Sequence, residues 1–223
     1  LYNFGHLFTA AVTHHRLTGS ASFLKIALRA AGYLEKLAQN PENIQTAVCP
    51  SHYMGLIELY RDTRDLRWLT LAKRLIDLRD QVPNGTDDNQ DRHPLRSQDQ
   101  ILGHAVRAAY LYAGVADLYA ETGEDALYQM LLRVYEDMTR TKLYITGGAG
   151  ALYTGVSPYG DLFADYQKVH QAYGYAYQLP NVTAYNETCA ALGNILWCHR
   201  LFALSPRAQY FDLIEQIYLN TAL

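Results

Sequence analysis

Apolar residues recur three and four apart along most of this chain, in pairs of segments joined by very short turns. Residues 4–17 (FGHLFTAAVTHHRL) place Phe4, Leu7, Phe8, Ala11 and Val12 on one helical face. Thr18-Gly19 stops that helix, because glycine accepts the left-handed backbone at a helix C-terminus. Ser20 or Ser22 is positioned to cap the next one, SFLKIALRAAGYLEKLA. The unit recurs at 51–62 and 66–80 across Thr63-Arg64-Asp65, at 101–120 and 125–138 across Glu121-Thr122-Gly123, and at 187–203 and 208–220 across Ser205-Pro206. In each hairpin the first helix is rich in small residues, Tyr and His, and the second is more amphipathic. Markers near the first-helix starts stand at His6, His52, His104 and Cys189, in steps of 46, 52 and 85 residues.

Helical hairpins at roughly 40–50-residue spacing build either an open solenoid or a closed α/α toroid. Polar markers at the first-helix starts, as if facing one shared pocket, and long insertions between hairpins favour the toroid. The expected fold class is all-α: a partial (α/α)6 toroid of about four hairpins with a long loop insertion. Six hairpins need more chain than 223 residues, so residues 1–223 are read as part of one α/α-barrel domain of a larger protein.

Two stretches interrupt the period. Residues 81–100 (QVPNGTDDNQDRHPLRSQDQ) are polar and turn-rich and read as a solvated surface loop, with His93 on it. Residues 143–180 begin with a β-like Leu143–Thr146, pass through Gly147–Gly150, and continue as an aromatic loop. A non-helical segment of that length inside a domain is usually functional.

Composition narrows the function. Lys and Arg number 19 against 22 Asp and Glu, a net charge of −3. There is no basic excess to hold a phosphate backbone, so nucleic acid is not the expected partner. No apolar run approaches the ~20 residues that span a bilayer, and no membrane role is expected. Three cysteines, Cys49, Cys189 and Cys198, do not make a disulfide framework. The 19 tyrosines against 6 phenylalanines have two readings: rings in the core with hydroxyls reaching a carbonyl or water, or rings and hydroxyls lining a sugar site.

Glu187 and Cys189 lie near the start of the last first-helix, which the pattern begins near Thr183 with that residue as its cap. Residues two apart do not share a helix face. They meet one ion only where the first turn is distorted or the ion sits at the helix end. A thiolate and a carboxylate then make half of a zinc site. Alone, the pattern is weak, since Glu-x-Cys arises by chance and a buried lone Cys is usually inert. Cys198, nine residues on, falls half a turn away from Cys189.

The stretches LYNFGH (1–6), GHAVRA (103–108), YITGG (144–148) and LPNVTAYNETCA (179–190), in this order, resemble glycoside hydrolase family 127, the β-L-arabinofuranosidase-like enzymes. The resemblance runs from residue 1 to about 222. It implies an (α/α)6 toroid followed by β-sandwich modules outside this chain, and hydrolysis with retention through a cysteine nucleophile held on zinc. It implies that Glu187 and Cys189 are two zinc ligands, the other two being cysteines beyond residue 223, one of them the nucleophile. His6 and His104 match sugar-contacting histidines. A third such histidine precedes a proline in the family; here Cys49-Pro50 takes its place, with His52 as a substitute from the next turn. Tyr185 and Asn186 are candidates for supporting the metal ligands.

One departure bears on mechanism. The family's general acid/base is a glutamate followed, after one residue, by an aromatic and a glycine; here Gln171 holds that position, in HQAYG. A carboxamide neither gives nor takes a proton at ordinary pH, and such help is worth ~10²–10⁴ in rate. Three explanations stand: a substrate whose own carboxylate or good leaving group removes the need, a neighbour such as His170 or Asp165 in the role, or a slow or merely binding protein. The resemblance implies a terminal furanoside substrate, either β-L-arabinofuranose or an acidic relative such as aceric acid of plant pectin, presented as an oligosaccharide or plant polysaccharide. Replacing a carboxylate by an amide removes a charge that repels an acidic sugar. Two other classes remain: a carbohydrate-binding pseudoenzyme, and an α/α-toroid sugar epimerase using histidines without metal. The compartment is undetermined; a bacterial periplasm or cytoplasm are both open by analogy.

Overall fold

The computed structural model describes residues 3–40, 49–156 and 168–222. They fall into two units, Leu1–Pro83 and Asn84–Leu223. Together they carry eight described helices forming four antiparallel hairpins, as expected of a partial α/α toroid.

The first unit holds helices α1 (Phe4–Thr18), α2 (Ser22–Gln39), α3 (Ser51–Thr63) and α4 (Leu66–Asp77), closed by a 3-10 turn at Leu78–Gln81. The first helices of the two hairpins, α1 and α3, make its most extensive contact. Glycine permits that approach. A Cβ on Gly5 would lie 2.1 Å from the Ser51 carbonyl carbon, and one on Gly55 would lie 2.7 Å from the Gly5 carbonyl oxygen. The second helices are amphipathic: α4 buries Trp68, Leu71, Ala72 and Ile76 on one face.

Three of the four hairpin joints share one device. The hydroxyls of Thr18, Thr63 and Thr122 each donate to the carbonyl one turn back, at 2.7–2.8 Å, and each accepts from the N–H two residues on. The next residue in each case, Gly19, Arg64 or Gly123, takes the left-handed conformation that ends the helix. The expected serine cap of α2 does not form. Ala21 is the N-cap residue, and Ser20 Oγ lies 3.0 Å from Ser22 Oγ, so both hydroxyls face each other outside the helix end.

His52 is buried in α3, its ring 4.2 Å from that of Tyr53. Burial first, then the nearby Arg79, lowers its pKa to about 3. The folded chain therefore keeps His52 neutral, whereas the unfolded chain protonates it near 6.5. Its contribution is intact above pH 6.5 and lost as the pH falls toward 3. At pH 5 the loss is about 2 kcal/mol. Denaturant titrations between pH 7 and 5 should show this slope, and His52→Gln should flatten it.

The second unit carries β1 (Gly103–His104), α5 (Ala105–Thr122), α6 (Asp125–Thr141), β2 (Leu152–Val156), β3 (Lys168–Tyr173), α7 (Thr188–Leu204) and α8 (Ala208–Asn220). Here too the first helices pack most closely, α5 on α7; a Cβ on Gly193 would meet the Ala109 Cβ at 2.8 Å. Trp197 anchors the core between Tyr112 and Tyr135, at 5.1 and 5.7 Å. Tyr53, Tyr112, Tyr173 and Tyr210 are fully buried, so these tyrosines follow the core reading.

The 143–180 insertion contains structure that the sequence pattern does not show. Its strands complete a three-stranded antiparallel sheet in the order β1-β3-β2, with His104 opposite Ala172 and Thr154 opposite His170. Leu143–Thr146 is not β-like: it is a turn, with Tyr144 N–H bonded to Gly148 O and Gly147 N–H to Tyr144 O.

The 81–100 stretch also departs from expectation. It is not a solvated loop: Asp87, Gln90, Asp91 and Gln98 are buried. Gln90 Nε2 donates to Leu102 O at 3.0 Å and to His104 O at 3.3 Å. Tyr112 Oη donates to Gln98 Oε1 at 2.9 Å. Polar residues fold inward here because each finds a backbone or side-chain partner. A cavity of about 290 Å³ opens among them, with His93 and Arg92 in its wall.

Candidate active site

The central strand β3 brings the site together. β1 pairs to one of its edges and delivers His104, the N-cap residue of α5. Gln171 sits mid-strand with φ +50, a left-handed backbone that costs a non-glycine residue ~1–2 kcal/mol. Its side chain reaches Tyr185, with Nε2 donating to the phenol oxygen at 2.8 Å, and lies within hydrogen-bonding reach of His104.

The approach to α7 is pinned from the glycine-rich turn. Tyr185 N–H bonds to Ala151 O at 3.1 Å and Asn186 N–H to Gly150 O at 3.2 Å. Gly150 has φ +77, and a Cβ there would press on Ala105 Cβ at 2.9 Å. These bonds hold residues 184–187 out of the helix. The helix therefore begins at Thr188 and not near Thr183, with Glu187 as its N-cap residue in extended conformation (φ −67, ψ 131). This correction resolves the spacing problem. Glu187 stands before the helix and Cys189 in its first turn, so the two are not bound to opposing faces.

The Glu187 carboxyl makes no side-chain cap, and its Oε2 is buried without a hydrogen-bond partner among the described residues. It lies near the Cys189 thiol and the Tyr185 hydroxyl and contributes to raising the pKa of each, after desolvation in the case of Tyr185. For the Cys189 thiol, Glu187 is the main cause of the rise. A cation at the pair reverses this sign, since it favours the thiolate. His104 is held below the ordinary histidine value by burial and then by Arg107, against Asp88, Gln171 and Glu187.

The structure thus gathers four expected residues, His104, Gln171, Glu187 and Cys189, around one neighbourhood in which Gln171 bonds to Tyr185. In the first unit, Cys49 and His52 are buried, and His52 bonds to the Cys49 backbone. His6 is exposed in the first turn of α1, next to the Gly5 that packs on Ser51. Asp165 lies outside the described residues. Among the described residues no cluster of three or more His, Cys, Asp or Glu side chains is placed to hold a metal ion; Glu187 and Cys189 supply two donors.

Asp88 and Arg107 were not singled out by sequence. They form an ion pair beside His104, Asn89 Oδ1 accepts from Arg107 at 2.7 Å, and Asp88 Oδ1 accepts from His170 N–H at 3.2 Å. Their traces in the sequence are the Asp-Asp-Asn run at 87–89 and Arg107 within the GHAVRA stretch. Tyr153 was also missed. It is exposed on β2, with its ring 5.1 Å from that of Tyr185.

A carboxylate–thiol pair at a helix start, with a histidine and an amide nearby, defines a polar site carried on the helical hairpins of the second unit. The β-L-arabinofuranosidase GH127 catalytic domain model matches residues 1–223, and the chain belongs to that family. The non-reducing end β-L-arabinofuranosidase of Bifidobacterium longum subsp. longum is 29% identical over 247 aligned positions, covering 100% of this chain and 35% of that protein. A solved structure described as a glycoside hydrolase superposes with a TM-score of 0.90 at 49% identity, covering 99% of this chain and 37% of the other. A GH127 β-L-arabinofuranosidase from Geobacillus stearothermophilus T6 superposes with a TM-score of 0.86 at 30% identity, covering 99% and 36%. The chain spans about a third of the length of these relatives.

Proposed function

We propose that the protein bearing this domain is a glycoside hydrolase that removes terminal furanosides with retention, using a cysteine held on zinc. The observation that carries the reading is the Glu187 carboxyl beside the Cys189 thiol at the start of α7, with one carboxyl oxygen buried and unpartnered. That donor set suits zinc, which takes sulfur and oxygen ligands. Glu187 and Cys189 would hold it from this chain. Zinc, when bound, keeps a coordinated thiol deprotonated without a separate base. His104, as an N-cap residue with its ring partly exposed, offers hydrogen bonds to sugar hydroxyls. His6, exposed at the start of α1, has the same chemistry to offer.

Gln171 orients its neighbours and moves no proton. Its neutral amide favours a sugar that carries its own carboxylate, and we propose an acidic furanoside from plant pectin, such as aceric acid, over β-L-arabinofuranose. Kinetics of the full-length protein at saturating zinc test this. The expected result is a higher kcat/KM on acidic than on neutral furanosides, with Gln171→Glu lowering that preference at least about tenfold, the effect of one like charge several ångströms away. Equal rates on both sugars would remove the acidic assignment. Binding of both without turnover would replace the hydrolase by a carbohydrate-binding pseudoenzyme, a reading that Gln171 itself favours.

A further inference from the structure

We propose that Asp88 is a positioning residue that holds the strained backbone of Gln171 in register with His104, a role that rests on the hydrolase reading only in what those two residues do for a sugar.

Gln171 has φ +50. A non-glycine residue persists in that conformation only where its surroundings over-determine it. Both of its neighbours in β3 are anchored. Ala172 pairs with His104 of β1 and with Leu152 of β2. His170 pairs with Thr154 of β2, but β1 offers nothing opposite it, because α5 begins at Ala105. Asp88 fills that place. Its Oδ1 accepts from the His170 N–H at 3.2 Å. Gln171 therefore lies between a residue tied to His104 and a residue tied to Asp88.

The post itself is fixed to the strand that carries His104. Asp88 O accepts from the His104 N–H at 3.3 Å. Gln90 Nε2 donates to Asp88 O at 3.2 Å and to His104 O at 3.3 Å. Gly103 lets the two backbones touch, since a Cβ there would lie 2.9 Å from Asp88 Cα. The second carboxylate oxygen of Asp88 pairs with Arg107, in the first turn of α5, and Arg107 also donates to Asn89 Oδ1 at 2.7 Å. A carboxylate suits this place because it has two acceptor oxygens, one for a backbone N–H and one for a guanidinium. Asp88 thus touches β1, β3 and α5 at once.

The test uses Asp88→Ala and Asp88→Asn in the full-length protein. Asparagine keeps an acceptor for the His170 N–H and gives up the charge beside Arg107; alanine keeps neither. Residue-resolved hydrogen exchange of the His170 amide, without metal or substrate, is the first readout. Asp88→Ala is expected to speed it about ten- to a hundredfold, the worth of a hydrogen bond to a charged group, and Asp88→Asn to stay within about threefold of the unmodified protein. Unchanged exchange in Asp88→Ala, or equal exchange in the two variants, would overturn the proposal. Furanoside kinetics give the second readout. Asp88→Ala is expected to lower kcat/KM at least about tenfold through misplacement of Gln171, with most of the loss recovered in Asp88→Asn. Glycine takes the left-handed backbone unaided, so in a Gln171→Gly background Asp88→Ala should cost less than about threefold. An equal loss in both backgrounds, which a role in stability alone predicts, would sink the positioning role. If the unmodified protein turns over no furanoside, the proposed hydrolase function fails, while hydrogen exchange still decides this inference.

Discussion

Cys189→Ala in the full-length protein is expected to weaken zinc retention by two to three orders of magnitude and to remove hydrolysis with it. Structural zinc is worth ~10–16 kcal/mol over four ligands, or about 2.5–4 kcal/mol each, and 1.4 kcal/mol is a factor of ten. The thiol is exposed in the first turn of α7 beside the Glu187 carboxyl, so its loss leaves only a carboxylate donor from this chain. Cys198→Ala is the control. Cys198 lies on the same helix but is fully buried, and its pKa is pushed up to about 12 by that burial alone. It should lose stability and keep zinc. Chelator competition on both variants, with circular dichroism to confirm folding, makes the comparison. Unchanged zinc affinity in Cys189→Ala would end the metal-held cysteine mechanism.

Gly103→Ala is expected to cost about 4 kcal/mol; among the described glycines it would make the closest Cβ collision. Gly103 has φ +69, and a Cβ there would sit 1.7 Å from the Asp87 carbonyl oxygen. The left-handed backbone alone costs alanine ~1–2 kcal/mol. The clash then forces residues 87–91 away from β1, together with the buried Gln90 hydrogen bonds to Leu102 and His104; each lost bond adds ~0.5–1.5 kcal/mol. For a chain of this size the loss corresponds to roughly 8–16 °C in Tm. Gly123→Ala, also at positive φ but with nothing within 4 Å of its Cβ, should lose only the backbone part. Thermal melts of the two variants separate collision from conformational strain, and equal losses would show that the contact with Asp87 relaxes freely.

Much of the helical frame was legible because helix formation is local. A 3.6-residue apolar period, a small residue that tolerates the left-handed conformation at Gly19 and Gly123, and a threonine at three of the four short joints are all properties of adjacent residues. The start of α7 was not legible. Thr183 carries a cap-forming hydroxyl, but the N–H groups of Tyr185 and Asn186 are taken by the Ala151 and Gly150 carbonyls, and those bonds keep the backbone extended until Thr188. The 81–100 segment, several of whose polar residues turn inward, was not legible for a related reason. Its polarity signals solvent only while its partners are unknown, and Gln90 finds them at Leu102 and His104.

The chain alone determined four helical hairpins, the joints between them, and a glutamate and cysteine close enough in sequence to share one helix start. Only the tertiary structure decided that a sheet strand from the insertion would bring Gln171 to Tyr185, and that the approach to α7 would stay extended up to Glu187. Periodicity reports which face of a segment avoids water. Which hydrogen-bonding groups meet across a fold depends on the packing of segments far apart in the chain, and no local pattern encodes it.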